Sequence, residues 1–566
     1  MVSGLKVLLF LSLHLLQEVK SSMVHLNNNG YEGVVIAINP SVPEDERLIQ
    51  SIKEMVTQAS TYLFEATKRR FYFRNVSILV PMTWKSKSEY LTPKRESYDQ
   101  ADVIVADPYL KNRDDPYTLQ YGQCGDRGQY IHFTPNFLLT DNLPMYGLQG
   151  RVFVHEWAHL RWGVFDEYNR DRPFYMSEKN TIEATRCSTH VSSRIMVKEC
   201  QGGSCKSRKC QRNSKTRLYE PKCTFIPNKA QAAKNSIMFM QSLDSVVEFC
   251  TEKTHNTEAP NQQNKMCNYR STWDVIKKSA DFQNSSPMIG TEAPPRPAFS
   301  LLRFKQRIVC LVLDKSGSMK FNKKTLPKQL KYVLFQTGTW TYSLFNKANE
   351  SQLLTVTVTT RARSPTTPPV IVTAHMSQNT ARYTRPMIVY ARVSQGFLPV
   401  LGANVTATIE AEDGHQVTLE LWDNGAGADT LKNDGIYSRY FAEYHGNGRY
   451  SLKVRAQARK TFTKVNLKQP NKALYVPGYV ENGEIIWNPS EPEYPEDKDT
   501  TVVGREITGG PFTVSGTHPG GDIPLLFPSS KVTDLEAQFE GDHLHLTWTA
   551  PGRILDKGKG NLDAEF

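Results

Sequence analysis

The sequence predicts an α/β first half joined to an all-β second half, and three observations predict it. Short apolar strands alternate with helical patterns up to Gly163, and alternation of period two takes over from residue 353. Eight of the nine cysteines lie between Cys124 and Cys267, six of them between Cys187 and Cys250, which marks a disulfide-stapled part within the first half. At 566 residues the chain exceeds the usual domain size of about 100–200 residues, so several domains are expected. An apolar content of 39%, a charged content of 22% and a mean hydropathy of -0.48 exclude both a disordered chain and a polytopic membrane protein.

In chain order, Lys6 precedes the apolar run 7–16, and small and polar residues lead to Ser22. This is the layout of a cleavable secretory signal over residues 1–22. No later apolar run reaches the roughly 18 residues that cross a bilayer. A secreted, extracellular protein with no transmembrane span of its own is therefore expected, one that cannot line a helical pore. Residues 34–38 read as a strand, and Leu48, Ile49, Ile52, Met55, Val56, Ala59, Tyr62 and Leu63 follow at helical spacing. Strands are expected at 76–80, 103–105 and 130–133, a second helix between Gly147 and Gly163, and a third at roughly 235–250. These elements form a first domain, 23–285, with its Cys-rich part at about 187–250.

Proline and small residues make 286–305 a linker. A buried strand at 308–313 opens the segment 306–336, and Cys310 within it reads as a buried free thiol. Strands at 353–359, 370–374, 387–393, 405–411, 416–421, 437–444 and 449–456 then suggest a β-sandwich over 337–462. Pro, Gly and acidic residues make 463–523 a second linker. The last part, 524–566, has two strands, too few to bury a core.

The net charge of +12 is spread over a long chain, but between Arg186 and Lys222 ten Lys and Arg face only Glu199 and Glu220. A solvated disulfide-rich loop explains this better than a polyanion site, and a secreted chain implies no nucleic-acid partner. Cys200, Cys205 and Cys210 are spaced like a metal knuckle but lack CxxC pairs, so disulfides are expected, with connectivity left open. Sequons at Asn75, Asn284, Asn349 and Asn404 agree with a secretory route.

The chemistry centres on His155-Glu-Trp-Ala-His159. Two histidines four apart share one helix face and can reach one Zn2+, with Glu156 as the general base that takes a proton from water. Gly163 supplies a turn after the helix, and Asp166 is the expected third ligand, with Glu167 as its competitor. The apolar run 236–240 offers Met238 or Met240 as a floor beneath the metal, or simply as core. This pattern predicts a zincin-like metalloprotease domain. Asp423, Asp429 and Asp434, with Gly425, Gly427 and Gly435, form an acidic loop that either holds Ca2+ or is a long turn; the spacing is not that of an EF-hand, and the turn is the expected reading.

Five stretches together carry a wider resemblance: Leu26-Asn-Asn-Asn-Gly-Tyr-Glu-Gly33, the run from His155 to Tyr168, the cysteine cluster, Asp314-Lys-Ser-Gly-Ser-Met319 and Asp423-Asn-Gly-Ala-Gly-Ala-Asp429. In this order and over almost the whole chain the sequence resembles the calcium-activated chloride channel regulator family. The resemblance implies a secreted glycoprotein with a zinc metalloprotease domain, a von Willebrand type A domain, a β-sandwich and a fibronectin type III domain. It also implies a self-cleaving protease that modulates chloride conductance through a calcium-activated channel protein at the cell surface. Its substrates would be peptides or proteins, itself included.

Two departures stand out. Asp314, Ser316 and Ser318 are the first limb of an adhesion site for a hard cation such as Mg2+ or Ca2+, but the rest of a type A domain does not follow. Residues 306–336 are thus a remnant, not expected to hold metal, and 524–566 is a shortened fibronectin segment. The rival to an enzyme is a non-catalytic regulator or adhesion module that acts by binding. For self-cleavage, the proline-held stretch 361–369 is the candidate segment.

Overall fold

The computed structural model describes residues 23–303 and 369–557, apart from 109–113, 202–203, 291, 384, 458–462, 466–471, 492–497, 500–503, 517–526 and 541–542. Strand β1, Val34–Ile38, is buried at every position, as an unbroken apolar run requires when both sheet faces are covered. Helix α1, Glu46–Ala66, starts on Asp45, whose carboxylate accepts the Arg47 N–H at 2.9 Å, and it buries the expected apolar stripe. Strands β2 (Asn75–Val80), β3 (Val103–Val105), β4 (Tyr117–Leu119) and β5 (Tyr130–Phe133) come next, then helix α2, Gln149–Trp162.

A three-stranded unit follows, built from β6 (Ser193–Gln201), β7 (Ser204–Lys209) and β8 (Thr224–Pro227), and then a single turn of helix α3, Ile237–Met240. Strand β9, Ala298–Arg303, returns to the first sheet. That sheet has the order β9-β2-β1-β3-β5-β4 and is parallel except for β4, which lies antiparallel to β5 at one edge.

Helix α2 is buried almost all round, with only Gln149, Arg151 and Arg161 partly exposed. Such burial explains why its apolar residues show no clean stripe. Trp157 packs on Phe73 and Tyr31 at ring distances of 4.8 and 5.2 Å. Arg161 holds Asp281 through two nitrogens at 2.6 and 2.7 Å, and Tyr31 and Trp162 donate to the same carboxylate. Disulfides join Cys124 to Cys267, Cys187 to Cys250 and Cys210 to Cys223, and the β6–β7 register sets Cys200 opposite Cys205. The basic stretch is a hairpin in which Arg208 pairs with both Glu199 and Glu220.

The second half is β-rich. It contains β10 (Val370–Met376), β11 (Met387–Gln395), β12 (Leu398–Leu401), β13 (Asn404–Ala411), β14 (Gln416–Leu421), β15 (Ile436–Phe441), β16 (Gly448–Gln457), the hairpin β17 (Gly478–Glu481) and β18 (Glu484–Trp487), and β19 (Gly504–Val514). One sheet runs β19-β16-β13-β14 with Thr380–Ala381 at its edge; the other contains β10, β11 and β12, with β15 paired to β11. Alternate residues of β13 and β16 are buried, and Phe441 of one sheet meets Phe512 of the other at 6.1 Å. A separate pair, Glu536–Glu540 with His543–Thr547, closes the described chain.

Several expectations need correction. The third helix, expected at 235–250, is only Ile237–Met240: Val247 and Glu248 both donate back to Lys234 O, and the Cys187–Cys250 bridge closes the stretch as a loop. Leu243, Val246 and Phe249 are buried at helical spacing without a helix. Part of the linker 286–305 is β9, paired with β2.

The linker 463–523 contributes β19, hidden in the sequence because the bulge at Gly509-Gly510-Pro511 breaks its alternation. Its 472–491 part packs on the first half instead of hanging free. Ala473 N donates to Pro116 O at 2.7 Å, Val476 N to Met145 O at 2.9 Å, and the Lys472 ammonium is buried with Asp115 and Glu491. The segment 306–336, Cys310, the strand at 353–359, Asn349 and nearly all of 361–369 lie outside the described residues. No helix among the described residues is long and apolar enough to cross a membrane.

Candidate metal centre

His155 and His159 occupy successive turns of α2, and their Nε2 atoms lie 3.3 Å apart. Each ring is oriented by a backbone carbonyl at its other nitrogen. His155 Nδ1 lies 2.9 Å from Ile237 O of α3, and His159 Nδ1 lies 2.7 Å from Val164 O. A carbonyl only accepts, so both rings carry their proton on Nδ1 and turn a lone pair inward at Nε2.

The turn that follows α2 delivers the third group. Gly163 takes φ +58°, and a Cβ there would stand 2.1 Å from Asp126 O, so both the conformation and the space demand glycine. Three residues on, Asp166 Oδ1 lies 3.1 Å from His155 Nε2 and 3.2 Å from His159 Nε2. Gln263 fixes this segment, accepting the Phe165 N–H at 2.8 Å through Oε1 and donating its own N–H to Asp166 O at 3.3 Å. Glu167 points elsewhere: it is fully buried and 3.8 Å from His255 Nδ1. Its grouping with Cys187 offers no thiolate, since Cys187 is in a disulfide. Burial drives the Glu167 carboxyl up to about 8.

Glu156 is wholly buried behind the histidines. Its Oε2 accepts from the Thr118 hydroxyl of β4 at 2.6 Å, while Oε1 is buried without a hydrogen-bond partner. Burial raises this carboxyl to about 7, the Asp166 charge adds to the effect, and His155 and Thr118 oppose it. Met238 lies against the same turn, its carbonyl accepting the Glu167 N–H at 3.0 Å, and Met240 is buried beside it. Just before them Ser236 adopts φ +128°, a strained value for a non-glycine residue, and its hydroxyl donates to Cys187 O.

The structure therefore brings His155, His159 and Asp166 within reach of one ion, with Glu156 adjacent and Glu167 apart. Two imidazole nitrogens and a carboxylate oxygen thus converge on one point, a donor set that could hold a metal ion. Sequence reasoning missed Thr118 and Gln263, whose roles depend on contacts 38 and 98 residues away. Asp314, Ser316 and Ser318 lie outside the described residues. Among the sequons within them, Asn75 and Asn284 are exposed and Asn404 is half-buried. Asp423, Asp429 and Asp434 also converge, in the second half.

Residues 24–289 match the family described as calcium-activated chloride channel N terminal. The chain is 52% identical to calcium-activated chloride channel regulator 3A-1 of Mus musculus over 99% of this chain and 88% of that protein. It is 50% identical to regulator 1 of Bos taurus over the same shares, and 40% identical to regulator 4 of Homo sapiens over 97% and 84%. The first alignment spans 792 residues against the 566 of this chain, so the relative carries long stretches with no counterpart here. Identity of this degree across nearly the whole chain establishes that it belongs to the calcium-activated chloride channel regulator family.

Proposed function

We propose that the chain is a secreted, zinc-dependent endopeptidase of the zincin type, able to cleave itself, that modulates calcium-activated chloride conductance through a channel made by another protein at the cell surface. One observation carries the enzymatic part. His155 Nε2, His159 Nε2 and Asp166 Oδ1 stand 3.1, 3.2 and 3.3 Å apart. Ligands about 2.0–2.1 Å from a tetrahedral zinc ion are separated by about 3.3 Å, so these residues fit three of its four positions. Zinc held there would act as a Lewis acid and lower the pKa of a water molecule.

The remaining work falls to the chain's own groups. Glu156, poised by burial near neutrality, accepts a proton from the attacking water and returns it to the leaving amine. Thr118 fixes the carboxylate's direction, and the Ile237 and Val164 carbonyls hold the two imidazoles. The regulatory part rests on the names of the relatives.

A non-catalytic regulator is the second reading, and one observation favours it. Lys472 and Ala473 already pair with Tyr117 and Pro116 on the outer edge of β4, beside Thr118, where an extended peptide would add as a strand. Glu156→Gln separates the two. The enzymatic reading expects peptidase activity to fall by about a hundredfold or more with zinc retained and the effect on the channel lost; an unchanged effect on chloride current supports the binding reading.

A further inference from the structure

The loop between β14 and β15 gathers three carboxylates that play no part in the centre on α2. Asp423, Asp429 and Asp434 each present an oxygen within 4.8 Å of the others. Asp429 is 2% exposed and Asp434 6%. Backbone amides arrange them: Asp423 accepts from Asp434 N and Gly435 N at 3.2 and 3.0 Å, Asp434 Oδ1 accepts from Ile436 N at 2.8 Å, and Asp429 Oδ2 accepts from Gly425 N at 2.7 Å. The other oxygen of Asp429, Oδ1, is buried and has no hydrogen-bond partner. A buried anionic oxygen without a donor is costly, and here it stands among two further carboxylates.

Among the described residues no ion pair neutralises the group, and Lys432 and Arg392 act on it only at a distance. Burial pushes all three carboxyls up, Asp423 to about 6, and repulsion from Asp423 adds to the rise at Asp429 and Asp434. An all-oxygen donor set of three carboxylates suits a hard cation. Calcium accepts 6–8 oxygens at about 2.3–2.6 Å, so two of its ligands stand up to about 5 Å apart, whereas magnesium demands a tighter octahedron at about 2.0–2.1 Å.

We propose that Asp423, Asp429 and Asp434 form a calcium site, separate from the centre on α2. It lies where the β-rich half meets the first half. Gln262 donates to Thr430 O at 2.7 Å, the Thr430 hydroxyl to Tyr121 O at 3.3 Å, and Ala428 packs on Tyr121 and Tyr390. Calcium bound there fixes the residues flanking Asp429 against Tyr121 and Gln262. Gln262 adjoins Gln263, which holds the Asp166 backbone, so the ion braces the junction beside the first centre.

The test uses the purified full chain. Tb3+ replaces calcium at oxygen sites, and Trp422, next to Asp423, is placed in sequence to sensitise its emission. The proposal expects Tb3+ luminescence displaced by Ca2+ but not by equimolar Mg2+, and lost or weakened at least tenfold in Asp429→Asn. Added Ca2+ should raise the melting temperature of wild type but not of Asp429→Asn. Without calcium, Asp429→Asn should melt no lower than wild type, because it removes one of three repelling charges; this distinguishes a lost site from a misfolded chain. His159→Ala should keep the calcium response, which separates this site from the zinc reading. Equal calcium affinity in wild type and Asp429→Asn, or no calcium response in a wild-type chain that is folded, would overturn the proposal.

Discussion

Thr118 and Glu156 meet at 2.6 Å between the Oγ1 of an edge strand and the Oε2 of a buried carboxylate. Strand β4 is the one antiparallel strand of its sheet, and its only polar side chain turned toward α2 is directed at the proposed base. Thr118→Val keeps the shape and removes this hydrogen bond. Turnover on a peptide should fall by about tenfold to a hundredfold while zinc content stays at the wild-type level, as paired peptidase and metal assays would show. Loss of zinc together with activity would mean that Thr118 acts on the fold instead.

Gly163→Ala places a methyl group 2.1 Å from Asp126 O in a left-handed conformation. It should cost at least about 2 kcal/mol, seen as a lower denaturation midpoint. The same change should reduce metal content, because the displaced turn carries both Val164 O and Asp166.

His132 provides a pH dependence. Both ring nitrogens are buried without partners, and the ring stacks on Tyr117 at 4.9 Å and meets Phe397 at a tilt, 4.6 Å away. Burial, with Arg392 adding, lowers its pKa to about 3. The unfolded chain binds this proton near pH 6.5, so the stability from the neutral ring is complete above that pH and is lost progressively as pH falls towards 3. Between pH 7 and 5 the loss is about 2 kcal/mol. His132→Phe should flatten that part of a stability-against-pH curve; an unchanged slope would show that other groups set it.

Asp281 accepts from Arg161, Tyr31 and Trp162 and is 8% exposed. Asp281→Ala strands the Arg161 guanidinium and should cost about 3–5 kcal/mol. Chemical denaturation of the purified chain measures it, and a cost below about 1 kcal/mol would indicate that Arg161 finds another partner.

What was legible in the sequence follows from local periodicity. Buried strands such as Val34–Ile38, the stripe of α1 and the alternation of β13 and β16 were readable because the apolar pattern matches the burial. The shared face of His155 and His159 was readable for the same reason, and the turn at Gly163 pointed to Asp166. Where burial came from distant packing, the reading failed. Leu243, Val246 and Phe249 mimic a helix in a disulfide-closed loop, and the Gly509-Gly510 bulge disguised a long strand as linker. Acidic and proline-rich residues around 472–491 looked solvated, yet Lys472, Asp115 and Glu491 meet through contacts that only the fold creates. The spacing of Asp423, Asp429 and Asp434 likewise says nothing about the burial of Asp429 and Asp434.

The most direct test of the central claim is the zinc content of the purified chain, by elemental analysis, in wild type, Asp166→Ala and Glu167→Gln. The account predicts one zinc ion per chain in wild type and in Glu167→Gln, and little or none in Asp166→Ala, since Asp166, and not Glu167, reaches the Nε2 atoms of His155 and His159. Full zinc in Asp166→Ala, or none in a folded wild-type chain, would contradict it.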